Sequence, residues 1–182
     1  MEKESQDLLI LGGFLGSGKT TLLNHLLGSL GNRRIGVVVN DFGKLGVDAS
    51  LVENHGGEEI LELNGGQIFC SCISGNFVKS IEALSRKPID LILVESSGLA
   101  KPSALGDIVA EACSASEEKI RYRGFVSVVD AERATKLLEA VNAVEEQIVY
   151  GDLILLNKCD LASPEARSES ARRVSELNPA AT

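Results

Sequence analysis

The chain has 182 residues, 44% of them hydrophobic and 24% charged, which is the size and composition of one globular domain with a sizeable core. Its 26 acidic against 18 basic residues give a formal charge of −8, which leaves no electrostatic footprint for DNA or RNA and argues against a nucleic-acid partner. No apolar run approaches the roughly 18 residues of a membrane span, MEKESQDLLILGG lacks the basic-then-apolar pattern of a leader, and four cysteines are too few for a disulfide scaffold, so the expectation is a cytoplasmic protein with no membrane contact and reduced thiols.

The first apolar run, LLIL (Leu8 to Leu11), is short and continuous, the pattern of a strand buried on both faces. It leads directly into GFLGSGKT, Gly13 to Thr20, which satisfies GxxxxGK[ST], and then into a helix whose face is Leu22, Leu23, Leu26, Leu27 and Leu30. Strand, glycine-rich loop and helix in that order make a phosphate cradle. Gly13, Gly16 and Gly18 let the backbone wrap phosphate oxygens, the amides around Ser17 form an anion nest, and the helix start at Lys19, Thr20 and Thr21 adds its positive dipole end. In such a loop Lys19 reaches the outer phosphates and the Thr20 hydroxyl sits on Mg²⁺.

A second strand, IGVVV (Ile35 to Val39), is followed by Asn40, Asp41, Phe42 and Gly43. Asp41 stands where it can approach the metal or the attacking water, or else makes an Asx turn before Gly43. Further on comes NGGQIFCSCISG (Asn64 to Gly75), in which Cys70 and Cys72 are separated by one residue. A CxC pair supplies two of the four ligands zinc usually takes, so it reads either as part of a soft-metal site or as a structural or redox-sensitive loop. Phe77, Val78, Ile81 and Leu84 then mark a helix face, and LILV (Leu91 to Val94) reads as the third strand, ending in ESSG. An acid at the tip of an apolar strand, Glu95, is where phosphate-loop proteins hold Mg²⁺, and Gly98 can turn its N–H toward the third phosphate, so that loss of this phosphate frees Ser96 to Ser103 to move.

Two more strands, FVSVV (Phe125 to Val129) and LILL (Leu153 to Leu156), precede NKCD, Asn157 to Asp160. Asp160 is an acceptor only and suits the adjacent N1–H and N2–H₂ donors of guanine rather than adenine, which selects GTP and GDP. Lys158 can lay its stem over the base, and Asn157 can tie this loop back to the phosphate loop. A last helix begins at Ser163, a cap, with Pro164 at its first position, and runs toward Leu177. Strands alternating with helices predict an α/β fold, a mainly parallel sheet between helix layers in a three-layer sandwich, with ligands at the carboxyl ends of the strands.

These pieces together resemble the CobW family of P-loop GTPases, of the SIMIBI class: GFLGSGKTTLLNHLL, VNDFGKLGVD, ELNGG with nearby cysteines, ESSGLAKP, VVDA and LNKCDL occur in the family's order. The resemblance implies one P-loop GTPase domain over residues 1–182, with the family's C-terminal domain and the last strand of the G domain absent. It implies Mg-dependent hydrolysis of GTP and a metal-chaperone role, with zinc, cobalt (for cobalamin biosynthesis), iron or nickel as cargo and a recipient metalloprotein as partner. Relatives usually carry GCxCC after the asparagine-glycine stretch. Here Gln67 and Phe69 stand at the first two cysteine positions, Cys70 matches the third, and Cys72 lies two residues beyond. Asp41 matches the acidic residue of the family's VNEFG and is a further ligand candidate for Zn²⁺, Co²⁺ or Ni²⁺, with Glu53, His55 and Cys113 weaker ones. A homodimer joining two CxC pairs is the other way to four ligands. His25, Cys113 and Cys159 otherwise read as packing residues, and Lys101 departs from the acidic residue of the family's SGLADP. The competing functions are a GTP-binding thiol redox sensor and a small-molecule kinase; NKCD argues against the kinase.

Overall fold

The expected strands all form, with one more than the sequence suggests. In the computed structural model, which describes residues 5–30, 33–41, 59–64, 74–117 and 119–182, a six-stranded sheet runs β1 (Gln6–Gly12), β2 (Ile35–Asp41), β3 (Glu59–Asn64), β4 (Leu91–Glu95), β5 (Ile120–Asp130) and β6 (Leu153–Asn157). Its spatial order is β3-β2-β4-β1-β5-β6, and every neighbouring pair is parallel. The strand ending in Glu95 is therefore the fourth in the chain, not the third. The helices are α1 (Lys19–Ser29), α2 (Ser74–Ser85), α3 (Leu105–Ala115), α4 (Ala134–Ala140), α5 (Asn142–Val149) and α6 (Pro164–Leu177).

Side chains alternate across the sheet with the period of two that a strand imposes, and β1 shows how this divides the core. Leu8 and Ile10 join Phe77, Ile81 and Leu84 of α2 and Leu105, Ile108 and Ala112 of α3 on one face. Leu9 and Leu11 join Leu23 and Leu27 of α1 on the other. Both faces of β1 are thus covered, which is why LLIL carries no polar residue. A third cluster, Val129, Val144, Ile148 and Val174, packs α4, α5 and α6 beside β5 and β6. α6 starts as its sequence dictates: Ser163 Oγ accepts from the Ala166 amide, with Pro164 at the first helical position.

The rim away from the strands' carboxyl ends is fastened by Arg34 and Asp90, which join the approaches to β2 and β4. Arg34 donates through its backbone N–H and Nε to Asp90 Oδ2 at 3.0 and 3.2 Å, and through a terminal nitrogen to Oδ1 at 2.5 Å. These side-chain and backbone bonds to Arg34 hold the Asp90 carboxyl down at about 2, from 3.8. Because the folded value is depressed, the pair's stabilisation is complete above the unfolded value and disappears as pH falls from about 4 toward 2. Arg34→Ala is therefore expected to lower the urea midpoint at neutral pH by a modest amount, within about 1 kcal/mol for so exposed a pair, and the gap to the parent should close in acid. A gap independent of pH between 7 and 3 would contradict this.

Candidate active site: a phosphate loop joined to the NKCD turn

All the predicted nucleotide contacts described here gather at one edge, because parallel strands deliver their carboxyl ends to the same side. β1 ends in the phosphate loop, β4 in Glu95, β5 in Asp130 and β6 in Asn157. Since β1 lies between β4 and β5, the loop sits at mid-sheet with these residues on its flanks.

The loop's backbone takes left-handed values at Gly13 (φ 136°), Gly16 (73°) and Gly18 (103°). Gly18 is doubly constrained, since a Cβ there would also stand 2.2 Å from Asn157 Nδ2. Lys19 opens α1 and is only 7% exposed; its Nζ donates to the Phe14 carbonyl at 3.3 Å, across the loop. Thr20 Oγ1 donates to Glu95 Oε1 at 2.8 Å, joining residues 75 apart in sequence. A cleft of about 320 Å³ opens over these groups, lined by Gly16, Gly18, Lys19, Thr20, Thr21 and Glu95, with Lys158 also on its wall. The donors suit a hard divalent ion. A hydroxyl and a carboxylate facing each other at the foot of a phosphate cradle are the oxygen ligands Mg²⁺ takes, directly or through water.

The NKCD turn is physically joined to the loop. Asn157 Nδ2 donates to the Ser17 carbonyl at 2.8 Å across 140 residues of sequence. Lys158 has a left-handed backbone (φ 58°), and its Nζ pairs with Asp130 Oδ2 at 2.9 Å. Cys159 Sγ is turned inward to the Leu156 carbonyl, while Asp160 is exposed on the turn closed by Leu161 N–H to Lys158 O. Asp130 was not anticipated as a site residue. It is 3% exposed, its Oδ1 also accepts from the amides of Glu132 and Arg133 at 3.0 and 3.2 Å, and it fixes where the lysine of NKCD goes. Its signal was in VVDA: an acid at the tip of an apolar strand, the same signature that located Glu95.

The loop after Glu95 lies against both the phosphate loop and α5. The Ser96 amide donates to the Leu11 carbonyl at 2.9 Å, and Gln147 Nε2 donates to the carbonyls of Gly98 and Ala100. Lys101 Nζ stands 3.9 Å from a carboxylate oxygen of Glu146, also on α5.

The thiolate candidates fare differently. Cys70, Cys72, Glu53 and His55 lie outside the described residues. Asp41 closes β2, in register with Asn64 at the end of β3, and two residues before it Val39 pairs with Glu95. Backbone topology thus brings Asp41 and the start of the cysteine-bearing stretch to the edge that holds Glu95. Cys113 packs against the first core cluster, where burial pushes its thiol up and keeps it protonated. Among the described residues no three His, Cys, Asp or Glu groups converge as a metal site, and no helix is long and apolar enough to cross a membrane.

Comparison with known proteins places these features in a family. The chain is 33% identical over 177 residues to the zinc-regulated GTPase metalloprotein activator 1 of Schizosaccharomyces pombe, covering 93% of this chain and 43% of that protein. It is 32% identical over 181 residues to the zinc chaperone YjiA of Escherichia coli, covering 95% and 56%. The chain spans about half the length of the curated relatives it matches. In fold it is similar to the Zn(II)-bound YjiA GTPase from E. coli (TM-score 0.73, 23% identity, 98% of this chain and 56% of that one) and to the hydrogenase maturation factor HypB from Archaeoglobus fulgidus (0.64, 22%, 100% and 80%). Residues 7–182 match the family described as CobW/HypB/UreG, nucleotide-binding domain, and the chain belongs to that family.

Proposed function

We propose that this chain binds and hydrolyses GTP as part of a zinc chaperone, its nucleotide state governing capture of the metal and transfer to a recipient metalloprotein. The observation that carries the reading is the Asn157 bond to the Ser17 carbonyl, which makes the base-reading turn and the phosphate cradle one body. Lys19, the loop amides and the helix dipole would stabilise charge on the transferring phosphoryl group, with no covalent intermediate. Thr20 and Glu95 would hold Mg²⁺, which supplies further positive charge there when bound. Asp41 would stand beside the attacking water or the ion, and Gly98 would offer its amide to the third phosphate.

Zinc as cargo is supported by the names of relatives at 32 to 34% identity, two of them zinc chaperones. In this chain the cargo ligands would be Cys70 and Cys72, with Asp41 completing the site in one chain or a second CxC pair completing it across a two-fold axis. Replacing both cysteines by serine is expected to abolish stoichiometric Zn²⁺ binding and the nucleotide's sensitivity to metal, while guanine affinity stays intact. Titration of Zn²⁺, with Co²⁺ and Ni²⁺ as competitors, against reduced protein loaded with a GTP analogue or GDP measures this. One ion per chain would mark the internal site and one per two chains the bridged site. Tight binding that survives the double substitution would instead make the CxC pair a structural or redox feature.

A further inference from the structure

Gln147 belongs to none of the nucleotide motifs, yet it is 2% exposed and holds two backbone carbonyls of the loop that follows Glu95. Its amide nitrogen donates to Gly98 O at 3.2 Å and to Ala100 O at 2.9 Å, bridging nearly fifty residues of sequence. A primary amide nitrogen carries two hydrogens, and here each has an acceptor. On the other side of the loop there is no slack, because a Cβ at Gly98 would stand 2.6 Å from the Leu15 amide nitrogen. Gly98 is thus confined between the phosphate loop in front and α5 behind. Gln147 also lines a small pocket with Phe14 and Ser17 of the phosphate loop.

We propose that Gln147 is a positioning residue for GTP hydrolysis: it holds the loop after β4 against the phosphate loop and sets how much the third phosphate gains from Gly98. This rests on the reading of Gly98 as the amide that meets that phosphate. A glycine has the widest choice of backbone angles of any residue, so an amide that must point one way needs an outside restraint. Carbonyls held by a buried side chain supply it. The restraint also makes α5 the element that feels departure of the third phosphate, through the Gly98 and Ala100 bonds and through Glu146 beside Lys101.

Gln147→Met keeps the length and fills the space but donates nothing, and Gln147→Glu keeps the shape but sets a carboxylate against two carbonyls. Each variant is compared with the parent for kcat and KM with GTP and for affinity toward a non-hydrolysable GTP analogue and GDP. For Gln147→Met the expected result is a kcat lower by about 10- to 100-fold, the cost of a misplaced catalytic group, with weaker analogue binding and unchanged GDP binding; Gln147→Glu loses at least as much. A folded variant with parental kcat, or one that loses analogue and GDP affinity by the same factor, would overturn the role. Hydrogen exchange of the Leu99 and Ala100 amides reads the restraint directly: with analogue bound, faster exchange in folded Gln147→Met than in the parent is expected, and equal exchange in the two would also overturn the role. A parent that neither hydrolyses GTP nor separates analogue from GDP would fail the nucleotide reading itself, whereas an active parent with equally active variants fails only the assignment of Gln147.

Discussion

Lys19→Ala is expected to reduce hydrolysis to background and to weaken GTP far more than GDP, while leaving the fold intact. Lys19 is nearly buried, yet its amino group points at the Phe14 carbonyl of the loop and at the cleft rather than into any of the three core clusters. Removing it uncovers a backbone carbonyl beside solvent and takes away one charge-assisted contact, worth about 1.5 to 3 kcal/mol in binding. Since about 1.4 kcal/mol is tenfold, triphosphate affinity should fall by one to two orders of magnitude. Hydrolysis should suffer more, because negative charge develops on the transferring group just where Lys19 stands. Nucleotide affinity by fluorescence, phosphate release and circular dichroism check the three parts. A variant that hydrolyses GTP at the parental rate with an unchanged spectrum would remove the phosphate loop from the mechanism.

The second large effect is expected from Asp160→Asn: poor GTP binding and a relative preference for xanthosine triphosphate. A carboxylate accepts from both the N1–H and the N2–H₂ of guanine, whereas an amide has a donor where guanine also has one. Xanthine replaces the 2-amino group by an oxygen and meets that donor. A site built to bond a specific polar group rejects a mismatched partner strongly, because facing donors are left unpaired when the base settles on the turn. The turn should survive, since Asp160 is exposed while Asn157 and Lys158 hold it to Ser17 and Asp130. The ratio of dissociation constants for GTP and xanthosine triphosphate is the measurement, and an unaltered ratio would refute Asp160 as the base reader.

β1, β2, β4 and β5 were legible because burial on both faces favours apolar residues, β6 because its run LILL stays apolar although it is only half-buried at the sheet edge, and the phosphate loop because its cradle demands glycines at fixed spacing. β3 was not. EILELN mixes acids with apolar residues at the edge of the sheet, where only one neighbouring strand is present, and reads equally as a turn of helix. α4 and α5 run seven and eight residues, too few turns for a period of 3.6 to declare itself. The Asn157 contact to the phosphate loop was anticipated from motif logic. Asp130 had a readable signal, but its pairing with Lys158 depends on β5 and β6 lying side by side, with Asp130 opposite Asn157. Gln147 had none, because a glutamine on an amphipathic helix shows nothing of which carbonyls it will meet until α5 is docked.

The strand order carries a consequence for how the chain acquires its site. β1 is made first but pairs only with β4 and β5, so Asp7 waits for Leu91 and Gln6 for Ile120. Contacts so distant in sequence charge the loop-closure entropy before they return anything, which makes folding slow. During synthesis from the N-terminus, the glycine-rich segment leaves the ribosome long before the strands that flank it, and of the site residues those of the NKCD turn arrive last. Until then the segment is an ordinary flexible stretch with no grip on phosphate. Nucleotide thus meets a sheet already assembled, and it can stabilise the product of folding but not direct its early steps.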